Sequence, residues 1–498
     1  MIIELLLLLI ILYAIFEFYW KRRRLPPGPT PLPFIGNLHV FLWHEPGYTA
    51  FEMWRKQYGP IYTYWIGSHP FVMISDYKTM KDTFVKDGEA YTGKFHFEGV
   101  AKDYRGGEYG VVETVGQMWR DHRRFAIHVL RDLGLSKDIM EQRISAEIEA
   151  MSDRLHNMKG TEVEMQDVFD VAVGSVINQL LFGYRFDNDK LGEFRELRSL
   201  MSSQMKDFSH PSAIIMFAYP WMKTLPYFRG LWNRIFLYRD AFYSFFDRQI
   251  EAHEKDIDYD VDDSKDYVEA FLKERKRREA NGDMESFSHI QLQNMCLDLW
   301  FAGMETTSNT LSWGVVYILN NLHVQAKEQM HAEMDREIAS SRLITMSDRN
   351  NLPYTNAVIN EIQRMANLLP MNLPHETTSP VQVGKWSLPA HTGVIAQISN
   401  VLYDDQIFPS PLTFNPSRFI DDNGKLKKVE ELIPFSIGKR QCLGEGLARM
   451  ELFLFTANLF NRFKLSCVNA DEPPSTKKSF GTTVRPHPYR CLVRSRFD

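Results

Sequence analysis

The sequence contains few cysteines, no long block of like charge and no nucleotide-binding signature. Its 498 residues include four cysteines, none in a CxxC pair, and this fits a reducing compartment such as the cytosol. The formal charge of −5 is spread without a basic stripe that could neutralise phosphates, which excludes a nucleic-acid binder. Neither a GxGxxG segment after a strand nor a GxxxxGKS/T loop is present, so the chain shows no dinucleotide site of its own.

The first 20 residues differ in composition from the rest of the chain. Residues 2–20 are almost wholly apolar, interrupted by Glu4 and Glu17, and a basic run follows at 21–24. A helix of about 20 apolar residues spans a bilayer, and basic flanks stay on the cytoplasmic side. We therefore predict a transmembrane anchor at 1–20, with the body of the chain in the cytosol. A cleaved signal peptide is the alternative, but it would carry its basic residues before the apolar run.

A proline-rich segment separates this anchor from the body of the chain. Residues 21–37 hold the basic run, the sequence PPGP at 26–29 and two further prolines. Prolines stiffen a linker because they fix φ. From 38 to 498 no repeat, low-complexity gap or second linker is present. The sequence thus predicts a hinge at 21–37 and one domain at 38–498.

Hydrophobic periodicity predicts a mostly α domain with a small β part. Apolar residues recur at helical spacing in seven segments, at 47–58, 118–130, 139–158, 231–253, 288–322, 324–338 and 355–367. Short β-branched or aromatic runs predict strands at 61–66, 71–74 and 393–399. The segment 288–322 is apolar enough for a membrane span, but Asp298, Glu305 and Asn309 favour a helix through the core.

One cysteine lies in a glycine-bracketed loop before a predicted helix. Residues 435–444 read FSIGKRQCLG, and 445–455 have helical periodicity. A thiolate at Cys442 would be stabilised by the unpaired N–H groups of a helix N-terminus. Gly438 can turn the backbone close to a flat ligand, and Arg440 can pair with a carboxylate. A lone thiolate suits haem iron, since no other Cys or His cluster completes a zinc site.

The same loop resembles the haem-binding segment of the cytochrome P450 family, FxxGxRxCxG, at all five fixed positions. The resemblance covers essentially the whole chain. It is closest to the family-2-like microsomal branch that holds vertebrate drug- and fatty-acid-metabolising enzymes, and an invertebrate member of that branch is one interpretation. It implies a single mostly α haem domain behind an N-terminal anchor in the endoplasmic reticulum membrane. It also implies haem b (iron protoporphyrin IX) as cofactor and Cys442 as the ligand of the iron.

Two further segments resemble structural motifs of the family. EIQR at 361–364 resembles ExxR, and PSRF at 416–419 resembles PxRF. ExxR alone is weak, because surface i,i+3 pairs such as Glu274 and Arg277 match it too. The resemblance implies a buried network that serves folding rather than chemistry, made by Glu361, Arg364 and Arg418.

The middle of the long helix predicted at 288–322 carries an acid and an alcohol. Residues 302–307, AGMETT, resemble the family's oxygen-groove motif (A/G)Gx(D/E)T. The resemblance implies that Glu305 and Thr306 are catalytic residues that deliver protons. The residues alone favour neither this catalytic role nor a structural one. In a structural role Glu305 would pair with a basic residue, because burying a lone carboxylate would be costly.

WRDHR at 119–123 resembles the family's WxxxR segment, whose members contact the haem propionates. Its tryptophan and last arginine are i,i+4 neighbours on one helix face. The resemblance implies a cofactor-binding set that consists of Trp119, Arg123, His375, Phe435, Arg440 and Cys442. A further propionate arginine is expected before this segment. Arg105 is the nearest candidate, but the glycine pair that follows it is displaced, so this assignment stays open.

Together these motifs imply a haem-thiolate monooxygenase. It would use O2 and NADPH-derived electrons to hydroxylate or epoxidise small lipophilic substrates, such as fatty acids, eicosanoids, steroids or xenobiotics. The implied partners are a membrane-bound NADPH–cytochrome P450 reductase, cytochrome b5 as an optional second donor, and the membrane. The family fold would place Lys439, Arg123 and Arg124 near the side that faces the partner. The aromatic-rich stretch at 208–222 is either a membrane-dipping lid or ordinary helix–loop–helix packing.

Three alternatives stay open at this point. A haem-thiolate isomerase or dehydratase acting on hydroperoxides would need neither O2 nor a reductase, and such relatives tend to lack the acid–alcohol pair. A non-enzymatic haem sensor would leave the oxygen groove unexplained. A metal-free structural membrane protein would carry no haem.

Overall fold

The computed structural model describes residues 2–44, 46–135, 138–158, 160–186, 189–325, 329–479 and 481–497, and they form a mostly helical chain with small sheets. The α-helices of these residues are α1 (Ile2–Phe18), α2 (Leu38–Trp43), α3 (Tyr48–Tyr58), α4 (Tyr77–Met80), α5 (Gly110–Glu113), α6 (Gly116–Leu130), α7 (Asp138–Asn157), α8 (Met165–Phe182), α9 (Leu191–Ser209), α10 (Pro211–Ala218), α11 (Pro226–Asp256), α12 (Tyr267–Ala280), α13 (His289–Leu319), α14 (Leu322–Gln325), α15 (Met330–Glu337), α16 (Pro353–Ala366), α17 (Ile398–Leu402) and α18 (Glu445–Arg462). The strands are β1 (Ile61–Ile66), β2 (His69–Ile74), β3 (Gly93–Lys94), β4 (Glu162–Val163), β5 (His375–Glu376), β6 (Val381–Val383), β7 (Trp386–Leu388), β8 (Gly393–Ala396), β9 (Phe463–Cys467), β10 (Lys478–Ser479), β11 (Arg485–Pro486) and β12 (Cys491–Ser495).

The long helices lie where hydrophobic periodicity predicts them. The segments at 47–58, 118–130, 139–158, 231–253, 288–322 and 355–367 correspond to α3, α6, α7, α11, α13 and α16. The helix predicted at 324–338 falls partly on residues 326–328, outside the described ones, with α14 and α15 on either side. Periodicity thus locates most of the helices that surround the site.

The strand predicted at 393–399 is wrong in its last three residues. β8 ends at Ala396, and Ile398 already begins α17. β8 pairs in parallel with β2, and the last register pair joins Ala396 to Ile74, the final residue of β2. The Gln397 backbone N–H still donates to the Ile74 carbonyl at 2.8 Å, but β2 ends there. A strand needs a neighbour, and β2 provides none beyond Ile74.

Helix α13 forms the centre of the domain. It packs against α8, α11, α16 and α18, and most of its residues are buried on every face, including Trp300 and Trp313. A helix that is apolar all round belongs in the core of a large protein. This placement confirms the prediction of a core helix and rejects a second membrane span.

The largest sheet holds five strands in the order β1-β2-β8-β5-β3. β3 and β5 are antiparallel, and their register sets Lys94 directly opposite His375. Two residues that are 281 positions apart in the sequence therefore meet at one edge of the sheet. Since Lys94 and His375 both line the cavity that Cys442 faces, the pairing positions both side chains for the site.

The N-terminal helix α1 has 17 residues and an exposed apolar surface that includes Leu9, Ile10 and Phe16. Across the described residues, no helix combines the length and apolarity required to cross a membrane. The anchor predicted at 1–20 therefore stays a prediction. Glu17 and Lys21 form an i,i+4 ion pair where the helix ends.

The proline-rich hinge lies along strand β1. The backbone N–H of Thr63 donates to the Pro27 carbonyl at 3.0 Å, and that of Trp65 donates to the Asn37 side chain at 2.8 Å. A Cβ on Gly28 would lie 1.8 Å from the Thr63 carbonyl oxygen, so glycine is required for this close approach. Residues 27–37 are thus fixed to the domain.

The network predicted for Glu361, Arg364 and Arg418 is present in the core. Arg364 Nε and Nη2 donate to the two Glu361 carboxylate oxygens at 2.7 and 2.9 Å. Arg418 Nε donates to Glu361 Oε1 at 3.1 Å. Arg364 also donates to the Leu402 carbonyl at 2.9 Å, and both members of the central pair are 0% exposed. These bonds tie α16 to α17 and to the segment after it.

The aromatic-rich stretch at 208–222 is part core and part surface. Met216 and Phe217 on α10 are buried, whereas Trp221 is 60% exposed. The phenyl ring of Phe217 packs on Phe208 with centroids 4.9 Å apart. Packing between helices therefore accounts for half of the stretch, and Trp221 is available for a membrane.

Candidate haem site

The Cys442 loop is held in place by its backbone. The Cys442 N–H donates to the Phe435 carbonyl at 3.1 Å, and Arg123 Nη2 donates to the Gln441 carbonyl at 2.6 Å. Gly438 has φ +89°, and a Cβ there would lie 2.2 Å from the Phe84 carbonyl oxygen. Gly438 therefore lets the loop approach the backbone at Phe84, whereas the sequence predicted an approach to a flat ligand. The loop shape does not depend on the sulfur.

The surroundings of the Cys442 thiol act in opposite directions on its pKa. Burial raises the pKa of Cys442, while the backbone N–H groups of Gly444 and Glu445 and the charge of Arg123 lower it. The N–H groups belong to the start of α18, as predicted for a thiolate at a helix N-terminus. Although the Cys442 side chain is exposed, the space it faces is the internal cavity.

The cavity beside Cys442 has a volume of about 420 Å³. One wall comes from α13, where Ala302, Gly303 and Thr306 face the space, and the wall with Cys442 comes from the loop and the start of α18. All the predicted cofactor-binding side chains lie on its lining: Trp119, Arg123, His375, Phe435, Arg440 and Cys442. Residues from four distant segments thus meet around one space.

Two partly buried cations of the cavity lining, Arg440 and Arg123, have no carboxylate partner among the described residues. Arg440 donates to the carbonyls of Thr92 at 2.9 Å and Thr114 at 2.7 Å, and its guanidinium lies 4.2 Å from the Trp119 ring. Burial lowers the pKa of Arg440 to about 10. Arg123 is likewise bound to a carbonyl rather than to an acid. An excess of buried positive charge is the arrangement that binds an anionic group.

Lys94 is a site residue that the motifs did not indicate. Its side chain is buried and lines the cavity next to His375 and Arg440, and burial lowers its pKa to about 8. Arg105, the candidate left open by the sequence, donates instead to Asp298 at 2.7 Å and does not line the cavity. The further propionate cation expected before Trp119 is therefore best matched by Lys94.

His375 is neutral at neutral pH. Burial lowers its pKa to about 4. Its Nδ1 lies 2.9 Å from the Tyr91 carbonyl, which can only accept, so Nδ1 carries the proton. The ring also packs on Phe84 with centroids 5.0 Å apart. His375 is thus fixed in orientation at the cavity edge.

The acid–alcohol pair on α13 is split between two environments. Thr306 lines the cavity, and its hydroxyl donates to the Ala302 carbonyl at 2.7 Å. Glu305 does not line it; its carboxylate accepts from both Arg485 Nε, at 2.6 Å, and Arg485 Nη2. Burial raises the pKa of Glu305, but Arg485, Arg198 and Asn309 together lower it more, and the net pKa lies below its ordinary value. The geometry favours the structural alternative for Glu305, and its catalytic role stays a prediction.

The side chains present fit a haem. A thiol faces a largely apolar cavity, and three cations of its lining, Lys94, Arg123 and Arg440, lack an ion-pair partner among the described residues, as two propionates require. The family model for cytochrome P450 matches residues 26–493. The chain belongs to the cytochrome P450 family.

Several curated members of the cytochrome P450 family align with nearly the whole chain. Cytochrome P450 2C7 of Rattus norvegicus is 35% identical over 463 residues, which cover 92% of this chain and 91% of the relative. Cytochrome P450 2C29 of Mus musculus is 35% identical over 477 residues, 95% of this chain and 94% of the relative. Cytochrome P450 2C25 of Mesocricetus auratus is 33% identical over 497 residues, 98% and 99% of the two chains.

Family membership identifies the cofactor and the class of reaction. Like other cytochromes P450, the protein uses haem b and is an oxidoreductase that incorporates molecular oxygen. When bound, the haem supplies the O2-binding and O–O-cleaving chemistry that no side chain of the cavity has. The single mostly α domain with small sheets confirms that part of the predicted fold class, whereas the N-terminal anchor stays a prediction.

Proposed function

We propose that the protein is a haem-thiolate monooxygenase that hydroxylates or epoxidises small lipophilic substrates with O2 and NADPH-derived electrons. The observation that carries the proposal is one cavity shared by the Cys442 thiol and the Thr306 side chain. Its other walls are largely apolar, with Val111, Leu299 and Leu368 among the lining residues. With haem held by Cys442, a lipophile can therefore lie beside Thr306 against these apolar walls.

Each side chain of the site has a distinct role in this proposal. Cys442 would hold the haem iron, and its thiolate would supply electron density to it. Trp119, His375 and the cations Lys94, Arg123 and Arg440 would hold the propionates, and Phe435 belongs to the ligand loop. Thr306 would order protons in the groove, and Glu305 is the acid that the sequence assigns to this step.

Replacing Thr306 with alanine is expected to uncouple electron use from product formation. Without the hydroxyl, protons are no longer ordered in the groove, and product per NADPH should fall by at least about tenfold. Simultaneous measurement of NADPH consumption, peroxide and product tests this. Thr306→Ser keeps the hydroxyl and should restore coupling, whereas full coupling in Thr306→Ala would contradict the role.

Replacing Lys94 with glutamine is expected to weaken haem retention. A buried cation near the propionates would be lost, and the affinity for haem should fall about tenfold. Replacing a residue that supports a metal ligand lowers affinity to a similar extent. Transfer of haem to an acceptor protein provides the measurement. Lys102 lies in the next helical segment with a side chain 75% exposed, so Lys102→Gln is the matched control and should retain haem normally. Equal transfer rates for the two variants would remove Lys94 from the site.

We propose that the electrons come from a membrane-bound NADPH–cytochrome P450 reductase, with cytochrome b5 as an optional second donor. Exposed cations border the ligand loop: Lys439 lies 3.3 Å from Glu89, and Arg124 is solvent-exposed on α6. Such cations suit docking of an acidic partner surface. Arg123 is bound inside the site and is not part of this surface.

We propose that residues 1–20 anchor the protein in the endoplasmic reticulum membrane with the domain in the cytosol. The exposed apolar side chains of α1 have no core to cover them, and the basic run at 21–24 follows directly. Removal of residues 2–20 should move the expressed protein from the membrane pellet towards the supernatant. Unchanged sedimentation of the shortened chain would remove this part of the proposal.

The function is tested by turnover of a panel of lipophiles with purified protein and reductase. Product that carries one atom of labelled O2 and requires NADPH supports the monooxygenase. Turnover of a hydroperoxide without NADPH or O2 would instead support the isomerase or dehydratase alternative. Haem binding without any turnover would favour a sensor.

A further inference from the structure

A carboxyl group that the motifs did not indicate lies at the cavity. Glu451 on α18 is 1% exposed and lines the same space as Cys442 and Thr306. Its Oε2 accepts a hydrogen bond from the Thr307 hydroxyl at 3.1 Å. Its Oε1 is buried and has no hydrogen-bond partner among the described residues. This carboxyl is therefore buried and only half satisfied.

The electrostatic states of the two glutamates differ. Burial raises the pKa of Glu451 to about 8, and only the Thr307 hydrogen bond acts against it. No charged group of the described chain contributes to that shift, and the hydrogen-bond partner of Glu451 among the described residues is Thr307 of α13. Glu305, by contrast, is ionised by its pair with Arg485. At neutral pH Glu451 holds a proton and Glu305 does not.

A purely structural role leaves the free oxygen unexplained. If Glu451 only joined α18 to α13, its hydrogen bond to Thr307 would suffice. A side chain with an amide or alcohol group could make that bond without being ionisable. An unmatched buried polar atom costs about 1–3 kcal/mol. Such a cost is typical of sites where the group serves chemistry.

We propose that Glu451, acting through the Thr307 hydroxyl, is a proton donor to the cavity. The inference rests on the monooxygenase function proposed above. The Thr307 hydroxyl can rotate, so that it accepts the proton of the Glu451 acid while its own proton passes to a water or oxygen atom in the cavity. Glu451 is left as a carboxylate and takes its next proton from water. No electron moves in this step.

The first test is the pH profile of Glu451→Gln in the full-length, haem-loaded protein. Wild-type product per NADPH should decline as pH rises through about 8, where Glu451 loses its proton. The variant should lack this limb and form product at least about tenfold more slowly. Thr307→Val keeps the carboxyl, removes the relay and should lose the same limb. A limb that persists in both variants would overturn the proposal.

The second test does not depend on turnover. The infrared band of a protonated carboxyl should be present in the wild type near neutral pH, vanish as pH rises through about 8 and be absent from Glu451→Gln. It should persist in Thr307→Val and in Glu305→Gln. No such band in the wild type would overturn the inference even if oxygenation occurs. Lack of product from a wild type that shows the band would contradict the proposed function alone.

Thermal unfolding supplies a third readout with a definite sign. The folded pKa of Glu451 is raised from its ordinary value of 4.5 to about 8. The contribution of Glu451 to the free energy of unfolding is therefore complete below pH 4.5 and is lost as the pH rises through about 8. The melting temperature of Glu451→Gln relative to wild type should rise between about pH 5 and about pH 9. A constant difference would show that Glu451 is already ionised and would overturn the proposal.

Discussion

Cys442→Ser is expected to lower the rate of oxygenation by more than about 100-fold. This exceeds the loss typical of replacing a residue that merely supports a metal ligand. A hydroxyl oxygen does not supply the electron density that a thiolate gives to iron. The fold should persist, because the loop is held by the bond from the Cys442 N–H to Phe435 and by Arg123 on Gln441. Steady-state turnover with reductase is the measurement, and haem content is determined in the same sample.

Cys467→Ser is the matched control for this substitution. Cys467 is partly buried on β9, and its Sγ donates to the Leu319 carbonyl at 3.6 Å, away from the cavity. Turnover of this variant should equal that of the wild type. If Cys442→Ser kept wild-type turnover and spectrum, Cys442 would not be the ligand.

Arg364→Met is expected to lower the free energy of unfolding by about 3–5 kcal/mol, because it leaves the Glu361 carboxylate buried without its main partner. Glu361 is 0% exposed and cannot recover hydration in place. Arg418 still donates one bond at 3.1 Å, which compensates only in part. Denaturant unfolding of the haem-loaded protein provides the measurement.

The sequence offers a control with the same spacing. Arg277 pairs with Glu274 at i,i+3, as Arg364 does with Glu361, but its side chain is 67% exposed. Arg277→Met should change the free energy of unfolding by about 0–1 kcal/mol, as usual for exposed ion pairs. Equal effects of the two substitutions would show that the spacing rather than the burial matters, contrary to our account.

The sequence predicts those parts of the fold whose signal is local. Amphipathic helices such as α16 and the loop of Cys442 are recognisable because spacing and glycines alone mark them. Helix α8 was not predicted because it is buried almost all round, so no polar face gives it a helical period. The end of β8 was misjudged because a strand ends where its neighbour ends, and β2 lies far away in the sequence.

The parts of the site that were missed depend on contacts between distant segments. Lys94 sits on a two-residue strand and enters the site only through the pairing of β3 with β5. Arg485 is 180 residues from Glu305, so the ion pair that occupies this carboxylate cannot be read from the motif. Glu451 lies in an apolar helix, and only the fold shows that it faces a cavity rather than a partner. A motif identifies the groups at a site, whereas tertiary contacts decide their charge.

X-ray absorption at the iron edge of the purified wild-type protein tests the ligation by Cys442 most directly, since it reports the elements bound to the metal. We predict one sulfur atom at bonding distance in addition to the porphyrin nitrogens, and its loss in Cys442→Ser. A wild-type spectrum with only nitrogen and oxygen neighbours would contradict the account.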